Sequence, residues 1–400
     1  VALKKIKKKG YLKLQKAIRH PLNRLKVAIK RKLGWLGIPL VQVFNGFGTV
    51  NLVVVHGRVI EDHGILQPNP HDSVWRNMLA MFKRYASSGL PDIHVQVVFG
   101  QQVQETRTDD SGFFEVCFEL PEPLPDQTCW KEATVRLMSY TGSTRQHAAQ
   151  LAKGEVLIIG KGPQYGIISD IDDTFLVSYS TDLIRKIRLM ALKNAHTRLP
   201  FDGVAAFYQA LAQGKNGRQQ NPFFYVSSSE WHLYDLLDDF CRFQQIPKGI
   251  FLLRYMQTSI LKPWKAQKVN HDHKFQKIKK ILKTFQQLPF ILIGDSGQKD
   301  MEIYMEVIKK FPKRVVAVYI RNVSKKKRHL QVLKMAHLLE TVYKVPVMLV
   351  QDTEAAARHA LASDYINQQA FLRTVDEIYV NQSLPTDLEE LFRRHEDRKV

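Results

Sequence analysis

Cysteine is scarce. Cys117, Cys129 and Cys241 are the only three in 400 residues, an odd number without paired spacing, which excludes a disulfide-built fold and makes a reducing cytoplasm the expected compartment. With so few cysteines there is also no Cys/His cluster of the kind that holds zinc. No apolar run approaches the roughly 20 residues a helix needs to cross a bilayer. The opening stretch is lysine-rich without the apolar centre of a signal peptide, so no export signal is expected in it. No internal repeat is apparent. Acidic residues are absent from residues 1–35, which hold 13 Lys and Arg and so supply +13 of the formal +21, leaving +8 for the other 365 residues. What is present, 44% hydrophobic content over 400 residues, suffices for two or three domains with a sizeable core.

The basic segment is patterned. Leu14, Ile18, Leu22, Leu25, Ile29, Leu33 and Leu36 recur at helical spacing and fall within an arc of about 100°. Most lysines and arginines take the other side. Pro21 is expected to kink or divide such a helix. With Trp35 beside the stripe, the segment reads as a peripheral anchor for an anionic membrane surface; a helix packed on the protein's own core, or a disordered tail, is the competing reading. Nucleic acid is the least favoured partner, because leucines and isoleucines suit acyl chains better than phosphates and bases.

The chemistry begins at Ser169-Asp170-Ile171-Asp172-Asp173-Thr174, directly after the apolar run Tyr165-Gly166-Ile167-Ile168. A strand followed by a sharp turn delivers carboxylates at i and i+2 to the carboxyl edge of a parallel sheet, where open α/β folds bind ligands. A calcium loop counted from Asp170 fails, since it needs Gly and Glu where Phe175 and Thr181 stand. Two later strands end in the same region of chemistry: Asn221-Pro222-Phe223-Phe224-Tyr225-Val226 runs into Ser227-Ser228-Ser229, and Pro289-Phe290-Ile291-Leu292-Ile293 into Gly294-Asp295-Ser296-Gly297-Gln298-Lys299-Asp300. Between them Lys274 precedes the helical pattern Phe275, Ile278, Ile281, Leu282, Phe285.

These residue types suit attack on a phosphate ester. An aspartate approaches an anionic phosphorus only where a cation offsets the repulsion, and Mg2+ does so with a few carboxylates and substrate oxygens. Asp170 is assigned in-line attack and metal ligation; Asp172, proton transfer, with its backbone carbonyl on the metal; Asp295, metal ligation; and Asp300, metal ligation directly or through water. Ser227, Ser228, Thr174 and Lys274 are assigned to the phosphoryl oxygens.

The order of carboxylate pair, hydroxyl, lysine and carboxylate pair resembles the haloacid-dehalogenase-like phosphohydrolases. More closely, Asp170 to Thr174, Tyr225 to Ser229, His273-Lys274, Phe290 to Gln298 and Val345 to Ala357 resemble the actin-patch-associated phosphatidate phosphatase family and its bacterial relatives, over roughly residues 40–366. Glu230 and Met301 depart from that pattern, each standing where a proline often follows. The resemblance implies a Mg2+-dependent hydrolysis of phosphatidic acid to diacylglycerol and phosphate. The alternatives are a phosphomonoesterase acting on a protein, nucleotide or polynucleotide phosphate, and a non-catalytic basic membrane-binding scaffold.

The expected fold class is α/β. Residues 1–38 are the basic amphipathic segment, and 39–152 a small β-sandwich with strands at Thr49–Ile60, Ile93–Phe99, Phe113–Leu120 and Ala133–Met138 and a helical pattern around Trp75, Met78, Leu79, Phe82 and Tyr85. Residues 153–366 form a doubly wound haloacid-dehalogenase-like catalytic domain on a parallel sheet, with further strands at Ile250–Leu253, Val315–Ile320 and Val345–Val350. Residues 367–400 are a tail. Between Thr174 and Phe223 an insertion, apolar and basic over Leu183–Met190, takes the position of a cap. Arg254, at a strand end, is a candidate for an additional phosphate contact.

Overall fold

A computed structural model describes residues 21–62, 89–139, 151–171, 202–254, 266–323 and 326–383. The expected helical pattern at 75–85, the apolar and basic stretch 183–190, Asp172 and Thr174 lie outside the described residues. The chain divides into two compact units, one of residues 1–163, 224–239 and 249–287, the other of 164–223, 240–248 and 288–400.

Over residues 1–163 of the first unit, the described residues contain seven strands: β1 Ile38–Thr49, β2 Leu52–Asp62, β3 His94–Phe99, β4 Gln102–Arg107, β5 Phe113–Glu119, β6 Cys129–Ser139 and β7 Leu151–Ile159. They form one sheet in the order β4-β3-β6-β7-β1-β2-β5, antiparallel except where β1 runs parallel to β7. Two packed sheets were expected of a sandwich; the described strands instead make a single sheet. Its outer strands approach one another, Gln104 Nε2 donating to the Cys117 carbonyl at 3.2 Å and Gln102 Nε2 to that of Glu119 at 3.3 Å. Alternation along a strand, such as buried Val95, Val97 and Phe99 on β3, specifies one apolar face. A curled sheet covers that face as well as a second sheet does, so alternation alone does not separate the two. β7 spans the expected boundary near residue 152 and pairs with β1 and β6.

A bulge between Phe44 and Phe47 interrupts the β1–β2 ladder and frees the backbone of buried Asn45. Its N–H donates to Tyr234 Oη at 2.9 Å and its carbonyl accepts from His56 Nε2 at 3.0 Å, satisfying groups that burial would otherwise penalise. Trp231 and Tyr234 pack their rings 4.4 and 4.7 Å from that of Phe44. They belong to a short 3-10 turn, Trp231–Leu233, and to α3, Tyr234–Phe243. The unit also holds the parallel pair β9 (Phe223–Glu230) and β10 (Ile250–Arg254), and helix α4, Ala266–Thr284.

Helix α1, Pro21–Lys32, belongs to this unit too. Pro21 occupies its first described position, where the missing N–H costs nothing, and Leu14 and Ile18 lie outside the described residues. Gly34, at φ 70°, ends the helix: Trp35 N donates to Lys30 O at 2.9 Å and Gly34 N to Arg31 O at 3.2 Å, a left-handed C-terminal cap that glycine adopts without strain. The chain direction changes there, so Leu36 leaves the expected stripe and joins Val27 in the apolar core of the sheet.

The second unit is an α/β layer. Strands β8 (Gly166–Asp170), β11 (Phe290–Asp295), β12 (Val315–Arg321) and β13 (Val347–Val350) lie side by side in that order, every pair parallel. β8 and β11 are buried at every residue, as strands of a parallel sheet covered on both faces must be. The helices are α2 (Val204–Gln213), α5 (Asp300–Lys310), α6 (Lys326–Tyr343), α7 (Thr353–Ala362) and α8 (Gln368–Ser383). α8 falls where a tail was expected. Ala370, Thr374 and Ile378, at i, i+4 and i+8, are buried, a face of small and polar residues too weakly apolar to announce a core helix.

Candidate active site

Asp170 is the last residue of β8, Asp295 the last of β11 and Asp300 the first of α5. Because β8 and β11 are parallel neighbours in register from Gly166/Phe290 to Ser169/Ile293, their carboxyl ends deliver Asp170 and Asp295 to one edge, and the short turn Ser296 to Lys299 returns Asp300 to it. All three are buried, and their ligand oxygens lie within 4.8 Å of one another. At that separation each ionised pair repels by at least about 3 kcal/mol at an effective dielectric constant of about 20. An oxygen-only, anionic donor set of this kind fits a hard divalent cation such as Mg2+.

The surroundings fix the carboxylates. Asp295 Oδ1 accepts from Gly297 N at 2.6 Å and Gln298 N at 2.8 Å, and Asp300 Oδ2 from Asp295 N at 3.2 Å. Gly294 leaves room for this fold-back: a Cβ there would stand 2.6 Å from Asp300 Oδ2 and 2.9 Å from Tyr304 Oη. Tyr304 donates to the Ile293 carbonyl at 2.7 Å; burial, with nearby Asp300 and Asp170, pushes its phenol far up, so it stays neutral. On the β8 side, Ser169 Oγ donates to the Asp170 carbonyl at 3.0 Å and lies 2.8 Å from Tyr208 Oη. Burial likewise raises the Tyr208 phenol well beyond its ordinary range.

Arg328 fastens the turn between Asp295 and Asp300 from α6. Its Nε donates to Ser296 O at 3.1 Å, Nη2 to Gln298 O at 2.7 Å, and both Nη atoms to the Glu302 carboxylate at 2.6 and 2.7 Å. Burial works to raise the Glu302 carboxyl, but the hydrogen bonds and charge of Arg328 outweigh it and hold the group below its usual range. Ser296 Oγ accepts from Val323 N at 2.9 Å. Sequence reasoning passed over Arg328, Tyr208 and Tyr304; arginine and tyrosine at these separations carry no spacing signal, and only the folded chain brings them here.

Ser227, Ser228 and Lys274 belong to the first unit. Ser227 is buried within β9, and its Oγ accepts from Ser229 N at 2.8 Å, a serine turn where the pairing with β10 shifts register. From α4, Lys277 Nζ donates to the Ser227 carbonyl at 2.9 Å. Lys274, three residues earlier and so on the same helix face, is 5% exposed. Lys280, three residues later, pairs with Glu115 at 2.8 Å. Beside Lys274, His273 is held neutral, its pKa lowered to about 3 by burial and by the charges of Lys277 and Arg254. Glu230, which departs from the family pattern, and Arg254, the candidate for an additional phosphate contact, pair with each other at 3.0 Å.

Among the described residues no helix is long and apolar enough to cross a membrane.

Residues 165–322 match the family described as phosphatidate phosphatase APP1, catalytic domain. Over 156 residues, 39% of this chain, the sequence is 33% identical to phosphatidate phosphatase APP1 of Saccharomyces cerevisiae, covering 25% of that protein. An uncharacterized protein of Schizosaccharomyces pombe is 27% identical over 164 residues, again 39% of this chain and 25% of that protein. The match thus spans about a quarter of the length of each relative. Among solved structures, a carbohydrate acetylesterase from Xanthomonas citri aligns over 77% of this chain and 76% of its own at 10% identity, with a TM-score of 0.24, too low to bear on the fold. Asp170, Asp295 and Asp300 all lie inside the matched segment, so the site falls in the part of this chain that is similar to the APP1 catalytic domain.

Proposed function

We propose that this chain is a Mg2+-dependent phosphatidate phosphatase of the haloacid-dehalogenase-like type, releasing diacylglycerol and phosphate through an aspartyl-phosphate. The observation that carries the reading is the buried trio Asp170, Asp295 and Asp300 within the segment similar to the APP1 catalytic domain. Asp170, Asp295 and Asp300 would hold the metal, which when bound neutralises the charge between an attacking carboxylate and a phosphate ester.

The remaining steps belong to the chain. An Asp170 carboxylate oxygen bonds to phosphorus as the ester P–O bond breaks, and Asp172 gives its proton to the departing alkoxide. Asp172 then takes a proton from the water that attacks the same phosphorus, and the Asp170–phosphorus bond breaks to release inorganic phosphate. Thr174, Ser227, Ser228 and Lys274 are assigned to the phosphoryl oxygens by their order in the sequence. The α1 segment is assigned to an anionic membrane surface, where this substrate is found.

The test is a substrate panel of phosphatidate in mixed micelles, a water-soluble aryl phosphate, nucleotides and phosphopeptides, each with Mg2+ and with EDTA. Phosphatidate should be preferred, EDTA should abolish turnover, and Asp170→Asn should be inactive on every substrate. Preference for a nucleotide or phosphopeptide would transfer the chemistry to another phosphomonoester, full activity of Asp170→Asn would refute the aspartyl-phosphate route, and no turnover of any substrate would leave only a scaffold.

A further inference from the structure

Helix α1 is engaged from one side and open on another. On the engaged side, Asn23, Val27 and Lys30 share a face by their spacing of four and three. Asn23 Nδ2 donates to Gly89 O at 3.0 Å and Asp110 O at 2.7 Å, and Val27 is 1% exposed within the core of the sheet. Lys30 Nζ meets Glu61 Oε2 at 2.8 Å, while the other oxygen of that carboxylate accepts from Gly37 N at 3.0 Å. Glu61 is itself 1% exposed, so this clamp fixes the rotation of the helix about its axis.

Leu25, Ile29 and Leu33, by contrast, are 59%, 50% and 51% exposed, and Trp35 just beyond the cap is 72% exposed. At 100° per residue the three aliphatic side chains span roughly 80°, centred roughly 125° around the helix from the clamped face. Lys26 and Lys32 stand roughly 20° beyond either edge of that arc. Neither the helix nor its cap carries an acid. An apolar strip flanked by cations, on a helix with no acidic residue of its own, complements an anionic surface with an apolar interior. A polyanion such as RNA would match the lysines but leave the leucines in water.

We infer that α1 is a rigid docking edge by which the first unit rests on an anionic lipid bilayer, with Leu25, Ile29, Leu33 and Trp35 entering below the headgroups and Lys26 and Lys32 lying at their level. The choice of a lipid occupant rests on the phosphatidate reading proposed above. Because the clamp ties the helix to the sheet, docking orients the whole unit on the surface, which a flexible basic tail would not do.

The experiment uses the full chain and sucrose-loaded phosphatidylcholine vesicles with and without phosphatidylserine, all free of phosphatidate, so that binding is read apart from catalysis. Wild type should pellet with phosphatidylserine vesicles and lose binding as salt rises. The variant Leu25→Ser/Ile29→Ser/Leu33→Ser should bind at least about tenfold more weakly, and each of Lys26→Gln and Lys32→Gln about fivefold more weakly at low salt. All three should keep wild-type hydrolysis of a water-soluble ester and wild-type thermal stability, because the altered side chains are solvent-facing. A brominated lipid should quench wild-type fluorescence more than that of Trp35→Phe. Equal vesicle binding by the triple variant, equal quenching with and without Trp35, or binding of RNA in place of vesicles would each overturn the inference. Loss of soluble-ester activity together with stability in the triple variant would overturn it too, since the strip would then be core. Intact vesicle binding by a chain inactive on both esters would instead refute the proposed function and leave the docking edge standing.

Discussion

Replacing Arg328 with alanine removes two anchors from the turn that joins Asp295 to Asp300 and a third from the first turn of α5. The guanidinium donates to the carbonyls of Ser296 and Gln298 and, through two nitrogens, to the Glu302 carboxylate. None of these groups belongs to the carboxylate trio, yet two of them lie between its members. The Asp295 carboxylate is aimed by the N–H groups of Gly297 and Gln298, so freeing the Ser296 carbonyl, which shares a peptide unit with the Gly297 N–H, frees a peptide that does the aiming. The Arg328–Glu302 pair is about a quarter to a third exposed, which reduces its worth below that of a buried pair; one charge-assisted bond contributes about 1.5–3 kcal/mol where solvent does not screen it. Outer-shell losses of this kind weaken metal binding about 10- to 100-fold. The Mg2+ concentration giving half-maximal hydrolysis of a soluble ester should therefore rise by that factor in Arg328→Ala, with most of the kcat recovered at saturating Mg2+. Arg328→Lys, which keeps a charge but not the fork, should fall between. A lower melting temperature with an unchanged Mg2+ midpoint would refute the argument, because Arg328 would then hold α6 and not the site.

The parallel strands were legible because burial on both faces demands unbroken apolar runs: Ile167-Ile168 and Phe290-Ile291-Leu292-Ile293 are such runs, and each ends in the aspartate it delivers. A carboxylate at the end of a strand that cannot stop elsewhere has its position fixed, and the structure brings Asp170, Asp295 and Asp300 together as that logic requires. β4, Gln102–Arg107, was not legible, since its side chains alternate between half-buried and exposed and only Val103 is aliphatic. β1 was hidden for another reason, a bulge at Phe44–Phe47 and glycines at 46 and 48 that interrupt alternation. The serine turn at Ser227 was legible as composition, but its link to Lys277 depends on how α4 lies beside β9. Arg328 is 33 residues from Asp295 in the chain, and no local rule connects them. In α1 the periodicity gave the exposed face at Leu25, Ile29 and Leu33, whereas the clamp through Asn23, Val27 and Lys30 needed partners on the sheet.

Gly294→Ala should weaken Mg2+ dependence more than it lowers stability, since the new Cβ would meet Asp300 Oδ2 at 2.6 Å and displace that carboxylate; an unchanged Mg2+ titration would show that Asp300 is not a ligand. Tyr208→Phe removes the hydroxyl 2.8 Å from Ser169 Oγ, and the loss of about 1 kcal/mol of support beneath Asp170 should lower kcat about fivefold with the Mg2+ midpoint unchanged; wild-type kcat would dismiss the phenol as packing. Asp172→Asn should cost about 10²- to 10⁴-fold on alkyl phosphates and much less on an aryl phosphate whose leaving group needs no proton; equal losses on both would contradict the acid role. Acid stability tests the environment around Lys274. His273 has its pKa lowered from 6.5 to about 3 by burial first and then by Lys277 and Arg254. Below 6.5 the unfolded chain therefore takes up a proton that the folded chain refuses until about 3, so the stability this group contributes at neutral pH is lost progressively as pH falls through that window. His56 and His359, also lowered chiefly by burial, act in the same direction, whereas Asp109 and Glu377, raised by burial, act against it. Substituting one histidine isolates its share. Between about pH 7.5 and about pH 5, above the main carboxylate titration, His273→Gln should lose less melting temperature than wild type, since it has no proton to refuse. An identical loss in both proteins would mean that His273 is protonated in the folded state, and that the environment of Lys274 on α4 is wetter than its burial indicates.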